Sequence, residues 1–342
     1  MTDAPILIWG AGAIGGVLGA YWARAGLPVL MVDIVEDHTK ACSTEGLLIE
    51  GPVETFRQVV PCVTPDELEG QFDRVILAVK SLATETALAA MKPHLSDEAF
   101  VVSAQNGLNE RTIAERLGAE RTVGAFVNFG SDWIEPGRIL FGNRGAVVVG
   151  ELDGPPRART EDLFEAFKVF EPNAVLTDNI WGYLWGKLGY LSMLYATALT
   201  EDSMSANFAD PTRGLALTRV AEEVMTTAQA EGVDALGFNG FEPAAFVPGH
   251  SEEAALKSLA ALAAFNAKTA KTHSGIYRDL AVRKRKTEVE PQMGIVTEIA
   301  RGHGIKTPAL DRLIELIHDI EDGRRPLSAA TFDELTKVAS SS

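Results

Sequence analysis

The sequence predicts an α/β domain built on a doubly wound parallel sheet, followed by an all-α C-terminal domain. A glycine-rich turn follows the first apolar run at Gly10, and short apolar runs then alternate with helical stretches. This alternation is typical of a parallel sheet covered by helices on both faces. From about Ile180 onward, apolar residues recur instead at intervals of three and four, as they do in helices. We therefore expect domains at residues 1–177 and 178–325, with a tail at 326–342.

The first predicted element is a strand that ends in a glycine turn. Residues 5–9 predict a buried strand, and the run Gly10-Ala11-Gly12-Ala13-Ile14-Gly15 follows. Residues 13–25 predict a helix, and residues 28–32 predict a second strand that ends on Asp33, eighteen residues beyond Gly15. Strand, glycine turn, helix, strand and acid form the dinucleotide-binding fingerprint of a Rossmann-like domain. For the glycines alone, an ordinary strand-to-helix turn is the alternative interpretation.

Each residue of the turn has a physical role in holding a dinucleotide. Gly10 permits the tight turn, Gly12 has no side chain to keep a pyrophosphate from the backbone, and Gly15 allows the helix to pack close to the strand. The first helical residues, Ala13 and Ile14, lie at a helix N-terminus, where N–H groups and a partial positive charge favour phosphate. We expect all five residues to contact the cofactor.

Asp33 predicts which dinucleotide is bound. At the tip of the second strand, its carboxylate can accept hydrogen bonds from both hydroxyls of an adenosine ribose and would repel a 2′-phosphate. Glu36 and Asp37 add two negative charges close by in the sequence. We therefore expect NAD to be preferred. NADP stays open, because arginines from elsewhere in the chain could reach a phosphate.

Composition excludes several classes of function. A formal charge of −16 over 342 residues disfavours nucleic acid and anionic membrane as partners, because both require a basic surface. Only two cysteines occur, no cluster has the spacing of metal ligands, and no signal-peptide pattern opens the chain. No run approaches the ~20 apolar residues that span a bilayer. We expect a cytoplasmic protein without a metal.

Polar residues follow two later strands of the predicted sheet. Residues 74–79 and 100–104 predict strands, with Lys80 just after the first and Asn106 just after the second. In open α/β sheets ligands bind at this edge. Both side chains are therefore candidates for a cofactor or substrate site.

The end of the first domain carries a polar turn between two apolar runs. Residues 138–141 and 146–149 flank a turn of Gly, Asn, Arg and Gly. This pattern is typical of a β-hairpin. We therefore expect the two runs to pair with each other.

The helix expected over residues 179–200 carries one notable side chain. The helix is apolar on nearly all sides, which predicts burial. Lys187 is its only basic residue, and no acid lies three or four positions away. Such a lysine either faces a cavity or extends to the surface. Burial destabilises a charged amine, as a proton donor working near neutrality requires. Spacing alone leaves both positions open.

A second candidate follows the basic run at residues 283–286. Thr287 with Glu290 three residues later fits a capping box at a new helix, with Pro291 in its first turn. This would place Glu288 near a positive helix end and beside four cations, where it should stay ionised. A cap with a solvated charged face is the alternative interpretation.

Together these motifs resemble those of a known family. In order, the chain carries Gly10 to Gly15, Ala78-Val79-Lys80-Ser81, Gln105-Asn106-Gly107, Trp185-Gly186-Lys187-Leu188, and Ser274 with Arg285-Lys286-Thr287-Glu288. Their order and spacing, over roughly residues 5 to 320, resemble the ketopantoate reductase (2-dehydropantoate 2-reductase) family. The resemblance implies a Rossmann domain, an all-helical domain and substrate in the cleft between them. It also implies hydride transfer between nicotinamide and a small branched 2-oxo or 2-hydroxy acid.

The resemblance implies roles for four residues by position. Lys187 matches the catalytic lysine that protonates the developing alkoxide. Glu288 matches an acid near the cofactor and the reacting centre. Lys80 matches a lysine on the cofactor side, and Asn106 matches an asparagine close to both nicotinamide and substrate.

On the substrate side, the chain both matches and departs from the family. Ser274 matches a substrate-contacting serine, with Gly275 as a rival alignment. Four and eight residues after the lysine, the family has substrate-binding asparagines, and this chain has Leu191 and Tyr195. Leu191 can donate no hydrogen bond, so a hydroxylated oxo acid loses a partner here.

Alternative functions stay open beside a ketopantoate reductase-type oxidoreductase. An NAD-linked dehydrogenase that oxidises a different hydroxy acid or polyol acid would share the chemistry. A non-catalytic NAD-binding sensor and an opine- or amino-acid-forming dehydrogenase are further alternatives. The resemblance also implies a homodimer formed through the helical domain.

Overall fold

The computed structural model describes residues 4–269 and 271–341. Its internal contacts divide the chain into an N-terminal unit, Met1–Ile180, and a C-terminal unit, Trp181–Ser342. The first combines sheets with helices and the second is helical, so the predicted fold class is confirmed.

The strands of the described residues all lie in the N-terminal unit. They are β1 (Ile6–Trp9), β2 (Val29–Val32), β3 (Leu47–Glu50), β4 (Phe56–Gln58), β5 (Cys62–Val63), β6 (Phe72–Leu77), β7 (Leu95–Ser103), β8 (Thr122–Val127), β9 (Gly130–Glu135), β10 (Arg138–Asn143), β11 (Val147–Glu151) and β12 (Val175–Thr177). The helices of this unit are α1 (Ala13–Arg24), α2 (Glu36–Thr44), α3 (Thr84–Met91), α4 (Asn109–Leu117) and α5 (Ala158–Phe170).

Eight strands form the main sheet, in the order β12-β11-β8-β7-β6-β1-β2-β5. From β5 to β8 all neighbours are parallel, and β11 is antiparallel to β8. Strand β1 is buried on both faces, because Ile6 and Ile8 belong to one apolar cluster and Leu7 and Trp9 to another. The chain order reverses between β1 and β6, and in such sheets ligands bind where the order reverses.

A second sheet has the order β4-β3-β10-β9. The sequence predicted that its strand β10 would form a hairpin with β11. That hairpin prediction is wrong. Strand β10 pairs with β9 and β3, whereas β11 pairs with β8 and β12 in the main sheet. The hairpin that forms is β9–β10, around Gly137 with φ of +75°. Alternating apolar residues predict a strand but do not specify its partner.

The C-terminal unit is built from helices. They are α6 (Ile180–Thr197, which starts at the last residue of the first unit), α7 (Met204–Ala209), α8 (Gly214–Ala230), α9 (Glu252–Ala267), α10 (Gly275–Tyr277), α11 (Ile295–Gly302), α12 (Pro308–Glu321) and α13 (Ala329–Ser341). The segments Arg278–Val282 and Glu290–Gly294 form π-helical turns. Among the described residues, no helix has the length and apolar character needed to cross a membrane.

The segment predicted as a tail, 326–342, belongs to the helical core. Helix α13 packs against α8 and α12, and its Phe332 and Leu335 are buried. Over the described residues, the segment thus forms a helix that packs on its neighbours. The apolar residues of α13 recur at helical spacing, and their burial offsets the loss of chain entropy.

A carboxylate from α8 caps the start of α12. Glu223 accepts hydrogen bonds from the backbone N–H groups of Ala309 and Leu310, at 2.9 and 2.8 Å. These N–H groups have no partner within the helix, because they lie in its first turn. Burial raises the pKa of Glu223 to about 7, although the two hydrogen bonds oppose this.

Candidate active site

The glycine turn after β1 has the close contacts expected of a dinucleotide loop. Gly10 has φ of +103°, and a Cβ built there would lie 2.9 Å from Val79, two residues after the end of β6. A Cβ at Gly15 would overlap the carbonyl oxygen of Gly10. A Cβ at Gly12, in contrast, would meet no atom within 4 Å. Gly10 and Gly15 thus permit close packing, and Gly12 leaves open space beside the backbone.

The start of α1 faces this open space with unpaired donors. Its N-cap is Gly12, and the structure gives this cap no side-chain hydrogen bond and no acid in the first turn. The N–H groups at Ala13 and Ile14 are therefore available to an anion at a helix N-terminus. Open space beside positive donors fits the pyrophosphate of a dinucleotide.

Asp33 closes the other side of this loop. One carboxylate oxygen accepts the N–H of Ala11 at 2.9 Å, and the other accepts the N–H of Val35 at 3.1 Å. Asp33 is only partly buried, and its neighbour Ile34 is 82% exposed. The carboxylate is thus held in place by the backbone while its remaining lone pairs can reach a ribose.

His38, on α2, holds the glycine loop from behind. Its Nε2 lies 2.8 Å from the carbonyl oxygen of Ala11, and its Nδ1 accepts the N–H of Gly137 at 2.9 Å. A neutral ring with the proton on Nε2 satisfies both contacts. Ser131 of β9 donates to the carbonyl oxygen of Ala13 at 2.8 Å, so the second sheet also braces the loop.

A polar network fixes the loop that carries Asn106. The backbone oxygen of Asn106 accepts hydrogen bonds from Ser81 at 2.9 Å and from Asn109 at 2.8 Å. Asn109 also donates to Ser81, at 3.0 Å. Gln105 donates to the carbonyl oxygen of Val79 at 2.9 Å. These contacts join the ends of β6 and β7 and leave the side chain of Asn106 exposed.

Lys80 lies at the same edge of the sheet. It follows the end of β6, precedes the short 3₁₀ turn that begins at Ser81, and is exposed. The N-terminal unit therefore brings the glycine turn, Asp33, Lys80 and Asn106 to the carboxyl ends of β1, β2, β6 and β7. Ser81 and Gln105 belong to the motifs found in the sequence. His38, Asn109 and Ser131 were not predicted, because they lie outside those motifs.

In the C-terminal unit, Lys187 is buried within α6. The sequence left open whether its side chain stays inside the protein or extends to the surface. The residue is 9% exposed, which excludes a side chain extended into solvent. Leu191 and Tyr195, one and two turns later, lie on the same helix face and are 7% and 0% exposed. A buried amine on an apolar helix is a candidate proton donor.

Tyr195 links α6 to the segment that bears Glu288. Its hydroxyl donates to Oε1 of Gln292 at 2.8 Å, and Gln292 is itself buried. Burial raises the pKa of Tyr195 well above its usual value, and the nearby carboxylate of Glu288 adds to this effect. Tyr195 is therefore a neutral hydrogen-bond donor whose proton is already engaged.

The capping box predicted for the segment after residue 286 is not formed. Both the backbone N–H and the hydroxyl of Thr287 donate to Glu321 of α12, at 2.6 and 2.7 Å. The carboxylate of Glu290 instead contacts His318, with 2.7 Å between Glu290 Oε1 and His318 Nε2. The prediction is wrong because partners on α12 compete for both side chains. Glu288 is partly buried.

Three of the four basic residues before Thr287 pair with acids. Arg283 and Arg285 both donate to Asp279, and Lys286 donates to Asp322 at 2.7 Å. Asp279 and Asp322 are thus acid partners of this basic run.

Ser274 caps the short helix α10. It is 4% exposed, and its Oγ accepts the N–H of Tyr277 at 3.2 Å. Gly275, the rival position, is the first residue of that helix. The capping role leaves the hydroxyl proton of Ser274 free to be donated to a second partner.

The described residues contain no group of three or more His, Cys, Asp or Glu side chains that could hold a metal ion. Fold and geometry define a Rossmann-type dinucleotide-binding unit joined to a helical unit with a buried lysine.

Comparison with known proteins agrees with this class. Residues 6–154 match the model for "Ketopantoate reductase PanE/ApbA", and residues 179–321 match its C-terminal counterpart. A 2-dehydropantoate 2-reductase of Halobacterium salinarum is 28% identical over 91% of this chain and 97% of its own. One from Mesorhizobium japonicum is 33% identical over 64% of this chain and 74% of its own.

A solved structure extends the likeness of fold. D-mandelate dehydrogenase with NADH and anilino(oxo)acetate superposes with a TM-score of 0.81 at 22% identity, covering 93% of this chain and 99% of that chain.

The chain belongs to the ketopantoate reductase family. It is an NAD(P)-dependent oxidoreductase of the ketopantoate reductase type, acting on a CH–OH group.

Proposed function

We propose that this enzyme uses NADH to reduce a small branched 2-oxo acid to the 2-hydroxy acid, with Lys187 as the proton donor. The observation that carries the proposal is the burial of Lys187 in the apolar helix α6. A desolvated amine suits proton transfer at neutral pH, and the same group can accept the proton when the reaction runs as an oxidation.

The remaining residues bind and orient. The bound nicotinamide supplies or accepts the hydride. The turn from Gly10 to Gly15 and the start of α1 hold the pyrophosphate, and Lys80 adds a positive charge on the cofactor side. Asn106 orients nicotinamide and substrate, and Ser274 donates a hydrogen bond to the substrate. Glu288 orients the reacting groups.

The test of the proton donor is Lys187→Met, which keeps the length of the side chain and removes its charge. We expect turnover to fall by about 10²- to 10⁴-fold while the Kd for NADH stays unchanged. The matched control is Lys257→Met on α9, an exposed lysine for which we expect no change. Equal turnover in both variants would exclude Lys187 as the donor. If the unaltered protein binds NADH and turns over no 2-oxo acid, the proposed substrate class is wrong.

The preference for NADH rests on Asp33. Its carboxylate is oriented by two backbone N–H groups, and the acidic residues Glu36 and Asp37 begin α2 beside it. A 2′-phosphate would meet like charge there, which favours the unphosphorylated ribose. We expect a lower Kd for NADH than for NADPH. The ratio of the two Kd values should be closer to one in Asp33→Asn than in the control Asp37→Asn. Tighter binding of NADPH by the unaltered enzyme would contradict this assignment.

The apolar side chain of Leu191 favours a substrate whose branch is also apolar. It lies one turn from Lys187 and cannot pair with a hydroxyl. The relatives are named for 2-dehydropantoate, which carries a hydroxyl on its branch. The D-mandelate dehydrogenase of similar fold is named for mandelate, which has no hydroxyl on its branch. Burying an unpaired hydroxyl costs about 1–3 kcal/mol.

A matched pair of substrates tests this preference. Because 3,3-dimethyl-2-oxobutanoate is 2-dehydropantoate without its hydroxyl, the two differ in one group. We expect kcat/KM to be about 5- to 100-fold higher for the compound without the hydroxyl. Leu191→Asn should reduce or reverse the difference. A higher kcat/KM for 2-dehydropantoate would mean that another residue binds the hydroxyl.

We also propose a homodimer, as the family resemblance implies, in the cytoplasmic setting that the composition favours. Light scattering of the purified protein measures the oligomeric state directly, and a monomer at micromolar concentration would contradict it.

A further inference from the structure

The two cysteines of the chain lie together behind the dinucleotide loop. Cys42 is on α2 and Cys62 is on β5, the edge strand of the main sheet. Ser43, next to Cys42, donates to the carbonyl oxygen of Cys62 and accepts its N–H, both at 2.8 Å. The N–H of Val60 donates to the carbonyl oxygen of Cys42 at 3.1 Å. These contacts hold the two residues side by side, twenty positions apart in the sequence.

Cys42 is also in contact with the histidine that braces the glycine loop. Its Sγ lies 3.7 Å from Nε2 of His38, the same nitrogen that lies 2.8 Å from the carbonyl oxygen of Ala11. The state of the Cys42 sulfur therefore affects a group that holds the cofactor loop in place.

The thiols have the electrostatic properties of a reactive pair. The hydrogen bond with Cys62 lowers the pKa of Cys42 to about 6, with a further contribution from His38, and these effects outweigh burial. The hydrogen bond with Cys42 and then burial raise the pKa of Cys62. Cys42 therefore has more thiolate character than an ordinary cysteine and lies beside a protonated thiol, an arrangement that favours oxidation.

We propose that a hydroperoxide converts Cys42 and Cys62 to a disulfide, and that this bond weakens dinucleotide binding through His38. The Cys42 thiolate attacks the peroxide, the O–O bond breaks, and a sulfenic acid forms as hydroxide leaves. The sulfur of Cys62 then attacks that sulfur, an S–S bond forms, and the S–O bond breaks. The Cys62 proton leaves with the hydroxide as water.

Access to the pair depends on β5. Cys42 is 0% and Cys62 6% exposed, so the closed structure shields both thiols. Strand β5 has two residues and lies at the edge of the sheet, where local opening requires the loss of few contacts. We therefore expect oxidation within minutes to hours rather than seconds.

The effect on the loop follows from the geometry. In the disulfide, the Cys42 sulfur is drawn toward Cys62. His38 lies one turn earlier on the same helix, α2, and contacts that sulfur, so we expect the ring to shift with it. Its short contact with the carbonyl oxygen of Ala11 then lengthens and weakens. We expect the Kd for NADH to rise by about 3- to 10-fold, as the loss of one hydrogen bond predicts.

The experiment treats the full-length reduced protein with hydrogen peroxide and then labels it with N-ethylmaleimide under denaturing conditions. We expect both thiols to label before oxidation and neither afterwards, with the Kd for NADH raised and restored by dithiothreitol. In Cys62→Ser, oxidation should stop at a sulfenic acid on Cys42 that reacts with dimedone. In Cys42→Ser, peroxide should leave the Kd unchanged. His38→Gln should raise the Kd of the reduced protein and remove most of the effect of peroxide.

Two results would overturn the proposal. One is that both thiols still react with the maleimide after prolonged treatment with peroxide. The other is a disulfide that forms while the Kd for NADH stays the same. Neither readout uses turnover, so both are independent of the assignment of Lys187 and of the substrate.

Discussion

Glu223 sets a pH dependence of stability that a single substitution should remove. The carboxylate is 7% exposed and caps α12 through two backbone N–H groups. Its pKa is raised from 4.5 to about 7, chiefly by burial. In Glu223→Gln the side chain has no proton to exchange in this range, so its contribution to the free energy of unfolding becomes independent of pH.

The sign and size follow from proton linkage. Because the folded pKa lies above the unfolded value, the folded protein binds the proton more tightly. The stability from this proton is fully present below about pH 4.5 and is lost as the pH rises through about 7. A pKa difference of about 2.5 corresponds to about 3 kcal/mol, of which about 2.5 kcal/mol is lost between about pH 5 and pH 8.

The measurement is urea unfolding of the unaltered protein and of Glu223→Gln at pH 5 and pH 8. Other groups titrate in both proteins, so the difference between them isolates residue 223. The matched control is Glu222→Gln, the adjacent acid on α8, which pairs with Arg219 at 2.7 Å. We expect the control to keep the pH dependence of the unaltered protein. If Glu223→Gln shows the same loss of stability from pH 5 to pH 8, the pKa of Glu223 is not raised and the reasoning fails.

Two further predictions concern the sites themselves. Tyr195→Phe should destabilise the helical unit by about 1–3 kcal/mol in urea unfolding, because buried Gln292 loses its donor. An unchanged midpoint would mean that Gln292 finds another partner. Gly15→Ala should lower both thermal stability and NADH binding, since its Cβ would overlap the loop backbone, whereas Gly12→Ala should lower NADH binding alone, since it meets open space. Equal loss of thermal stability in both variants would contradict the distinct roles given to the two glycines.

Much of the candidate site could be predicted because its signals are local. The glycine turn, the helix after it and Asp33 lie within 24 consecutive residues, and backbone sterics and hydrophobic periodicity act over that distance. The burial of α6 was predictable for the same reason, since apolar residues cover nearly its whole surface. What spacing left open was the direction of Lys187, because a lysine in such a helix can either stay inside or extend to the surface.

The failures share one cause, which is competition from partners distant in the sequence. The strand β10 has the expected pattern, yet it pairs with β3, about ninety residues earlier. Thr287 and Glu290 have the spacing of a capping box, and α12 provides stronger partners for both. A local pattern predicts what a segment can form, and it carries no information about which distant groups will compete for it.

The sequence by itself determined the dinucleotide fingerprint, the change from alternating strands to helices, and the lone lysine of an apolar helix, because each depends on neighbours a few residues apart. Only the tertiary structure decided that His38 braces the loop at Ala11. It also brought Cys42 to Cys62 and joined Tyr195 to Gln292. These contacts connect residues 20 to 97 positions apart, and chain folding, not local preference, brings such groups within hydrogen-bonding distance.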